Sequence, residues 1–230
     1  MTLQEAIKQR HSVRRYVHKP LSAEIVKTLQ NKIDECNAEG GLHIQLVTNE
    51  TRAFTGLFSY GKFSGVENYI VMVGKKADDL DERVGYYGEQ LVLLAQTLGL
   101  NTCWAGLSYR RVDEAYSIGD DEKLTCMIAL GYGATQGHKR KSKTAEQVSN
   151  VGSESPEWFR KGVEAVLMAP TAINQQKFSF TLLPNEQDTE DKPKVLAKRG
   201  FSMVGYTKMD IGIARLHFEI GAGTENFDWA

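Results

Sequence analysis

The chain has 230 residues, 41% of them hydrophobic and 25% charged, with a formal net charge of −1 at neutral pH. That length supports a substantial core, and the balanced charge argues against a dedicated nucleic-acid binder, which carries a basic surplus. Cys36, Cys103 and Cys126 are odd in number and lack C-x-x-C spacing, so neither a disulfide framework nor a zinc site is expected and a reducing cytoplasm fits best. The first residues form no apolar leader and no run approaches a membrane span, which predicts a soluble, cytoplasmic protein.

In chain order, residues 2–9 predict a short helix with Leu3, Ala6 and Ile7 on one face. Arg10-His11-Ser12-Val13-Arg14-Arg15-Tyr16 follows. In an extended segment alternate side chains share a face, so Arg10, Ser12 and Arg14 are expected to point together, two guanidiniums flanking a hydroxyl. That combination suits an anionic, hydrogen-bonding ligand, although a solvated basic turn would read the same way. Ser22 is a fitting N-cap for a second helix, in which Ile25, Leu29 and Ile33 recur at four-residue spacing until Gly40-Gly41. Residues 43–48 and 69–74 predict strands.

Residues 84–98 predict the strongest helix, apolar all round at Leu91-Val92-Leu93-Leu94-Ala95 and therefore buried, with Gly99 as its C′ residue. Residues 101–104 and 127–132 predict two more strands. From 134 to 155 apolar residues almost vanish and Lys139-Arg140-Lys141-Ser142-Lys143 appears, a long excursion that is either solvated or able to hold a phosphate. Ser155-Pro156-Glu157 predicts an N-cap, an N1 proline and a first-turn acid for a helix reaching Met168. Ala169-Pro170-Thr171-Ala172-Ile173-Asn174-Gln175-Gln176 follows, either a plain connection or a surface that a flat ligand can approach closely. Residues 178–183 and 195–197 predict strands, and residues 207–220 a last helix.

The two parts of the chain run alike. Helix, break, strand and Asn49-Glu50 in the first match helix, break, strand and Asn185-Glu186 in the second; the buried helix with Trp104 matches the last helix with Trp229. A degenerate duplication accounts for this, and so does the coincidence that any α+β chain offers.

Taken together, the motifs resemble the FMN-dependent nitroreductase family, in a branch with a duplicated core. Arg10-His11-Ser12-Val13-Arg14-Arg15-Tyr16 resembles that family's Arg-x-Ser-x-Arg segment. The helix ending in Leu98-Gly99-Leu100-Asn101-Thr102-Cys103-Trp104-Ala105-Gly106 resembles its central helix and the continuation. Leu130-Gly131-Tyr132-Gly133 and Arg140-Lys141 resemble its Gly-Tyr strand end and Arg-Lys pair. Ala169 to Gln176 resembles its Ala-Pro-Ser-x-x-Asn motif.

The resemblance implies an α+β, nitroreductase-like fold, with a central, mainly antiparallel sheet packed by helices. It implies FMN as cofactor and NAD(P)H as cosubstrate. Arg10, His11, Ser12 and Arg14 would hold the pyrimidine edge, ribityl chain and phosphate, with Arg140 and Lys141 adding phosphate contacts. Gly106 and Leu107 would offer backbone amides near the reactive edge of the ring. Pro170, Thr171, Ala172, Asn174 and Gln176 would form the opposite wall. The flavin itself would carry the chemistry, so no protein acid or base is assigned a catalytic role.

In typical members the Asn motif lies close behind the Arg-x-Ser-x-Arg segment and reaches the partner subunit's flavin. Here that place reads Asn37-Ala38-Glu39-Gly40-Gly41, and the motif comes in the second half. The expectation is a single-chain pseudo-dimer: residues 1–145 form one half, residues 146–230 supply the opposite wall, and the two make one compact unit. A monomer is favoured over a homodimer. Lys177-Phe178 replaces the family's Pro-Trp and leaves acceptor specificity open. The expected activity passes reducing equivalents from NAD(P)H to a nitroaromatic or quinone-like small molecule by a ping-pong mechanism, with neither nucleic acid nor membrane as partner. The alternatives are other flavin chemistry on the same fold, such as dehalogenation or flavin modification, and flavin binding without turnover.

Overall fold

The computed structural model describes residues 1–56, 62–184 and 192–230, so Asn185 and Glu186 of the repeat comparison lie outside the described residues. Helix α1 spans Leu3–Gln9. Thr2 caps it: its hydroxyl accepts the Glu5 N–H at 3.2 Å while the Glu5 carboxylate accepts the Thr2 N–H at 2.8 Å, so two otherwise unpaired N–H groups are satisfied at once. Helix α2 spans Ala23–Gly40 behind the Ser22 cap, and Gly41 ends it in the left-handed conformation (φ 57°) that a side chain disfavours.

Strands β1 (Gln45–Val47) and β2 (Asn68–Lys75), helix α3 (Leu80–Thr97), and strands β3 (Asn101–Ala105) and β4 (Glu122–Gly131) complete the first half. The four strands make one antiparallel sheet in the order β1-β2-β4-β3. β2 is buried along all but its last residue, because the sheet is covered on both faces. One face packs with α2 and α3 through Ile33, Ile70, Met72 and Leu91. The other carries Phe54, Phe63, Tyr69 and Tyr116.

Helix α4 (Glu157–Val166), strands β5 (Phe178–Leu182) and β6 (Lys194–Arg199), helix α5 (Thr207–Ala222) and strand β7 (Asp228–Trp229) follow. Their sheet has the order β5-β6-β7, with β5 and β6 antiparallel and β6 and β7 parallel. Phe180 stacks on Phe218 at 5.1 Å, and Phe227 and Trp229 close the group. The same apolar cluster continues without a break into the first half, from Phe218 and Ile213 to Val84 and Leu91.

α3 and α5 cross at two glycines. A methyl added at Gly85 would strike the Met209 carbonyl and the Ile213 N–H; one added at Gly212 would strike the Glu82 carbonyl and the Tyr86 N–H. The contact is reciprocal, residue for residue, as across a two-fold axis.

Three expectations need correction. Residues 134–155 are not a solvated linker throughout, since Val148 is fully buried and its carbonyl accepts the Phe180 N–H at 2.8 Å. Pro156, not Ser155, is the N-cap of α4; the Ser155 hydroxyl instead accepts the Gly152 N–H. α4 also stops at Val166, where the chain turns toward Pro170.

Candidate functional site

Beyond α1 the chain runs extended and is pinned from three sides. The Val13 N–H donates to the Thr102 carbonyl on β3, the Tyr16 N–H to Ser64, and Tyr16 bridges to Gly133. The Tyr16 hydroxyl donates to the Val13 carbonyl at 2.6 Å, which fixes the run against the sheet. Ser12 and Arg14 thereby face a cavity of about 410 Å³ between the two halves of the chain. Its far walls come from Ala105-Gly106-Leu107-Ser108 past β3, from Pro170-Thr171-Ala172-Ile173 past α4, and from Tyr206, Met209, Asp210 and Ile213 at the start of α5. Leu107 and Ile173 stand exposed on its rim. A Cβ at Gly106 would lie 2.6 Å from the Tyr206 hydroxyl, so a side chain there would require the Tyr206 ring to move.

Arg10 does not share this face, because the chain turns at the end of α1. Its side chain is buried, with Nε 3.7 Å from Glu89 Oε1, and that Nε has no hydrogen-bond partner. Glu89 is itself fully buried. Its other oxygen accepts the Trp104 indole N–H at 2.9 Å, and Oε1 also lies 2.9 Å from His217 Nε2 on α5. Trp104 lines the cavity, so this ionic group sits directly behind the wall.

Arg10 and Arg140 place positive charge near His11. Burial first, and then the charges of Arg10, His138 and Arg140, hold the His11 imidazole below its ordinary value. Arg140 is brought down to about 10 by burial, with Arg10 adding to the effect.

Arg140, Lys141, Asn174 and Gln176 come together, yet not on the cavity surface. The Arg140 guanidinium donates to Asn174 Oδ1 at 2.9 Å and to the Leu167 and Ala169 carbonyls. The Lys141 carbonyl accepts from the side-chain amides of Asn174 and Gln176, and the Lys143 ammonium donates to the Gln176 carbonyl. This clamp grips a strained turn: Ile173 (φ 46°), Asn174 (φ 60°) and Gln176 (φ 46°) all occupy the left-handed region. Such residues cost about 1–3 kcal/mol each and persist only where their surroundings impose them. Nothing in the one-dimensional pattern marked Ile173 for that conformation.

A family model described as "Putative TM nitroreductase" matches residues 2–222. The chain belongs to this nitroreductase family. Among solved structures, a putative nitroreductase from Thermotoga maritima shares 24% identity, with a TM-score of 0.63 over 96% of this chain and 83% of its own. A putative nitroreductase from Desulfovibrio desulfuricans, solved in complex with FMN, shares 17% identity, with a TM-score of 0.51 over 68% of this chain and 98% of its own. Nitroreductase A from Vibrio parahaemolyticus gives 16%, 0.52, 64% and 74% in the same order. No curated protein matches the sequence. These similarities establish the nitroreductase-like α+β fold. None of the described helices is long and apolar enough to cross a membrane, and the described residues contain no cluster suited to a metal ion.

Among the pocket contributors that sequence reasoning missed are four at the start of α5, Tyr206, Met209, Asp210 and Ile213. Their spacing along the first turns of α5 was the available signal, but it reads equally as the core face of a helix. It also missed a second, polar groove on the opposite side of the α3–α5 crossing, lined by Asp79, Glu82, Arg83 and Tyr86 together with Arg215 and Glu219. Each of the first four stands as far along the chain from Tyr206, Met209, Asp210 and Ile213, in that order, as Gly85 stands from Gly212. In that groove Arg215 pairs with Glu82 at 2.8 Å and the Tyr86 hydroxyl donates to Glu219.

Proposed function

We propose that this nitroreductase is an FMN-dependent oxidoreductase that passes reducing equivalents from NAD(P)H to a small electron acceptor, nitroaromatic or quinone-like, with one flavin site per chain. The observation that carries the reading is that Ser12, Arg14, Gly106, Leu107, Pro170, Thr171 and Ala172 all face one cavity. The residues suit the cofactor. Arg14 offers a cationic donor beside the Ser12 hydroxyl on the cavity wall, a combination that suits an anionic, hydrogen-bonding ligand.

When bound, FMN supplies the hydride and electron transfer, accepting from NAD(P)H and delivering to the acceptor in ping-pong order. The chain's own task is to bind, orient and tune. Arg14 would stabilise negative charge at the pyrimidine edge. The backbone amides after Ala105 would orient the ring's reactive side, and Pro170-Thr171-Ala172 would support the opposite side. Arg140, Lys141, Asn174 and Gln176 would act from behind that support by holding its turn. The exposed Leu107 and Ile173 leave room for an apolar, flat acceptor over the rim.

The two-half organisation, residues 1–145 and 146–230 in one compact unit, is part of the proposal. The reciprocal α3–α5 crossing supports it, as does the FMN-bound relative, whose chain is spanned almost whole by 68% of this one. The groove at the related position is lined by ion-paired side chains, Arg83 with Asp79 and Arg215 with Glu82, which favours a single flavin. Purified protein is expected to bind FMN and to turn colourless when NAD(P)H is added anaerobically. A protein that takes up no FMN at micromolar concentration refutes the proposal, and bound flavin that NAD(P)H leaves oxidised identifies a binding protein without turnover.

A further inference from the structure

We propose that Asp210 is the positioning residue of this pocket: acting through Gln175, it ties the 170–173 wall to the 204–206 wall and so latches both against a bound ring. The proposal rests on the flavin reading for its ligand and on hydrogen bonds for its substance. Asp210 sits in the first turn of α5, only 2% exposed. One carboxylate oxygen accepts the Ala172 N–H at 2.9 Å, and the other accepts the Gln175 side-chain amide at 2.7 Å. The same amide nitrogen donates to the Gly205 carbonyl at 3.0 Å. One NH₂ group therefore spends both hydrogens on joining the two walls.

The orientation has a visible cost. Gln175 Oε1 is buried with no partner, although turning the amide over would be the simple remedy. An ionised carboxylate explains the choice, since it accepts hydrogen bonds only and so demands the nitrogen. Once Asp210 carries a proton the demand reverses. The carboxyl O–H then favours Gln175 Oε1, and turning the amide sets that oxygen against the Gly205 carbonyl, two acceptors face to face. The tie between the walls is lost. Gly205 (φ 79°) and Tyr206 (φ 60°) are both in the left-handed region, and Phe201 and Met203 just before them are exposed, so the other restraint on that wall is the packing of the Tyr206 ring against the core and Gly106.

The groups around Asp210 leave it free to act in this way. From the 134–144 segment Arg140 faces it, and Arg140 in turn faces Arg10 and Glu89. On α3, Glu82 is paired with Arg215 and Glu89 with His217. Burial lifts the Asp210 carboxyl to about 6, opposed by its two hydrogen bonds and by Arg140.

The test compares wild type, Asp210→Asn and Gln175→Leu by FMN fluorescence quenching from pH 5 to 8. Backbone hydrogen exchange over residues 170–176 and 200–206 is measured on the same samples without flavin. Both variants are expected to bind FMN about tenfold more weakly at pH 7.5, the scale of one charge-assisted hydrogen bond, and to exchange faster in both segments. Wild type is expected to lose that advantage as the pH falls through about 6; His11 is common to all three proteins, so the difference isolates Asp210. Wild-type affinity and exchange in the variants, or the same pH step in Asp210→Asn, overturns the latch. If no protein binds FMN at any pH the flavin reading fails, and the exchange rates still decide the latch. Gln175→Leu keeps the test open should Asp210→Asn fold poorly.

Discussion

Arg10 and Arg14 are four residues apart and look interchangeable in sequence, yet burial gives them different work. Arg14 lines the cavity, while Arg10 is turned beneath it toward Glu89. Arg14→Ala is expected to weaken FMN binding by tenfold or more, as loss of a charge-assisted bond of about 1.5–3 kcal/mol implies, and to leave the urea midpoint nearly unchanged. Arg10→Ala is expected to lower stability by roughly 2–3 kcal/mol, because it leaves Glu89 buried with one cation fewer; chemical denaturation reads this directly. Asp210 gives a third prediction. Its carboxyl rises from 3.8 to about 6 on folding, so between those values the native state holds a proton that the unfolded chain has lost. That contribution is complete below the lower value and is gone once the pH passes the upper one. Wild type is therefore expected to lose up to roughly 3 kcal/mol of stability between pH 4 and pH 8 that Asp210→Asn, which cannot ionise, does not lose. Melting curves of both proteins at the two pH values measure that difference in slope.

Among the elements, those whose ends are set by local chemistry were legible. The Ser22 cap, and Gly41 and Gly99 in the left-handed region, bounded α2 and the end of α3 where the sequence put them, whereas Thr2, read as the first residue of α1, is its cap. The start of α3 was not legible, because Asp81, Glu82 and Arg83 break the apolar pattern that carries the helix signal; Glu82 and Arg83 face the polar groove instead, and Asp81 pairs with Lys123. The beginning of β4 was missed for the same reason, at Glu122 and Lys123. At the site, Ser12, Arg14, Gly106 and Pro170 to Ala172 were legible from motif order. Glu89 and His217 were not, since their pairing joins distant helices and neither helix shows it alone. The helix crossing adds an element-scale prediction. Gly85→Ala or Gly212→Ala meets backbone, which has no rotamer to yield, so each should cost about 3 kcal/mol or more, the upper end for overpacking. An unchanged melting temperature in either variant would show that the helices separate freely.

For the whole molecule, the proposed pseudo-dimer makes a prediction about counting. A 25.7 kDa chain with both walls of its pocket on one polypeptide should bind one FMN per chain and do so as a monomer, so affinity should not depend on protein concentration. Flavin absorbance set against mass from light scattering tests both statements. Two flavins per chain, or binding that strengthens as subunits associate, would contradict them. One continuous apolar cluster joins the halves, so unfolding is expected to be a single cooperative transition and not two.

The reciprocal crossing at Gly85 and Gly212 has a genetic side. In a homodimer with a two-fold axis every mutation is made twice, so any gain at one active site is taken at both, along with any harm. Here the mates across the crossing are separate codons. Tyr206 and Asp210 on one side stand opposite Asp79 and Arg83 on the other, side chains of different charge and size at equivalent places. A chain with the proposed pseudo-dimeric organisation can refine one site while the related place is given over to holding the molecule together, a division of labour that no symmetric assembly can inherit.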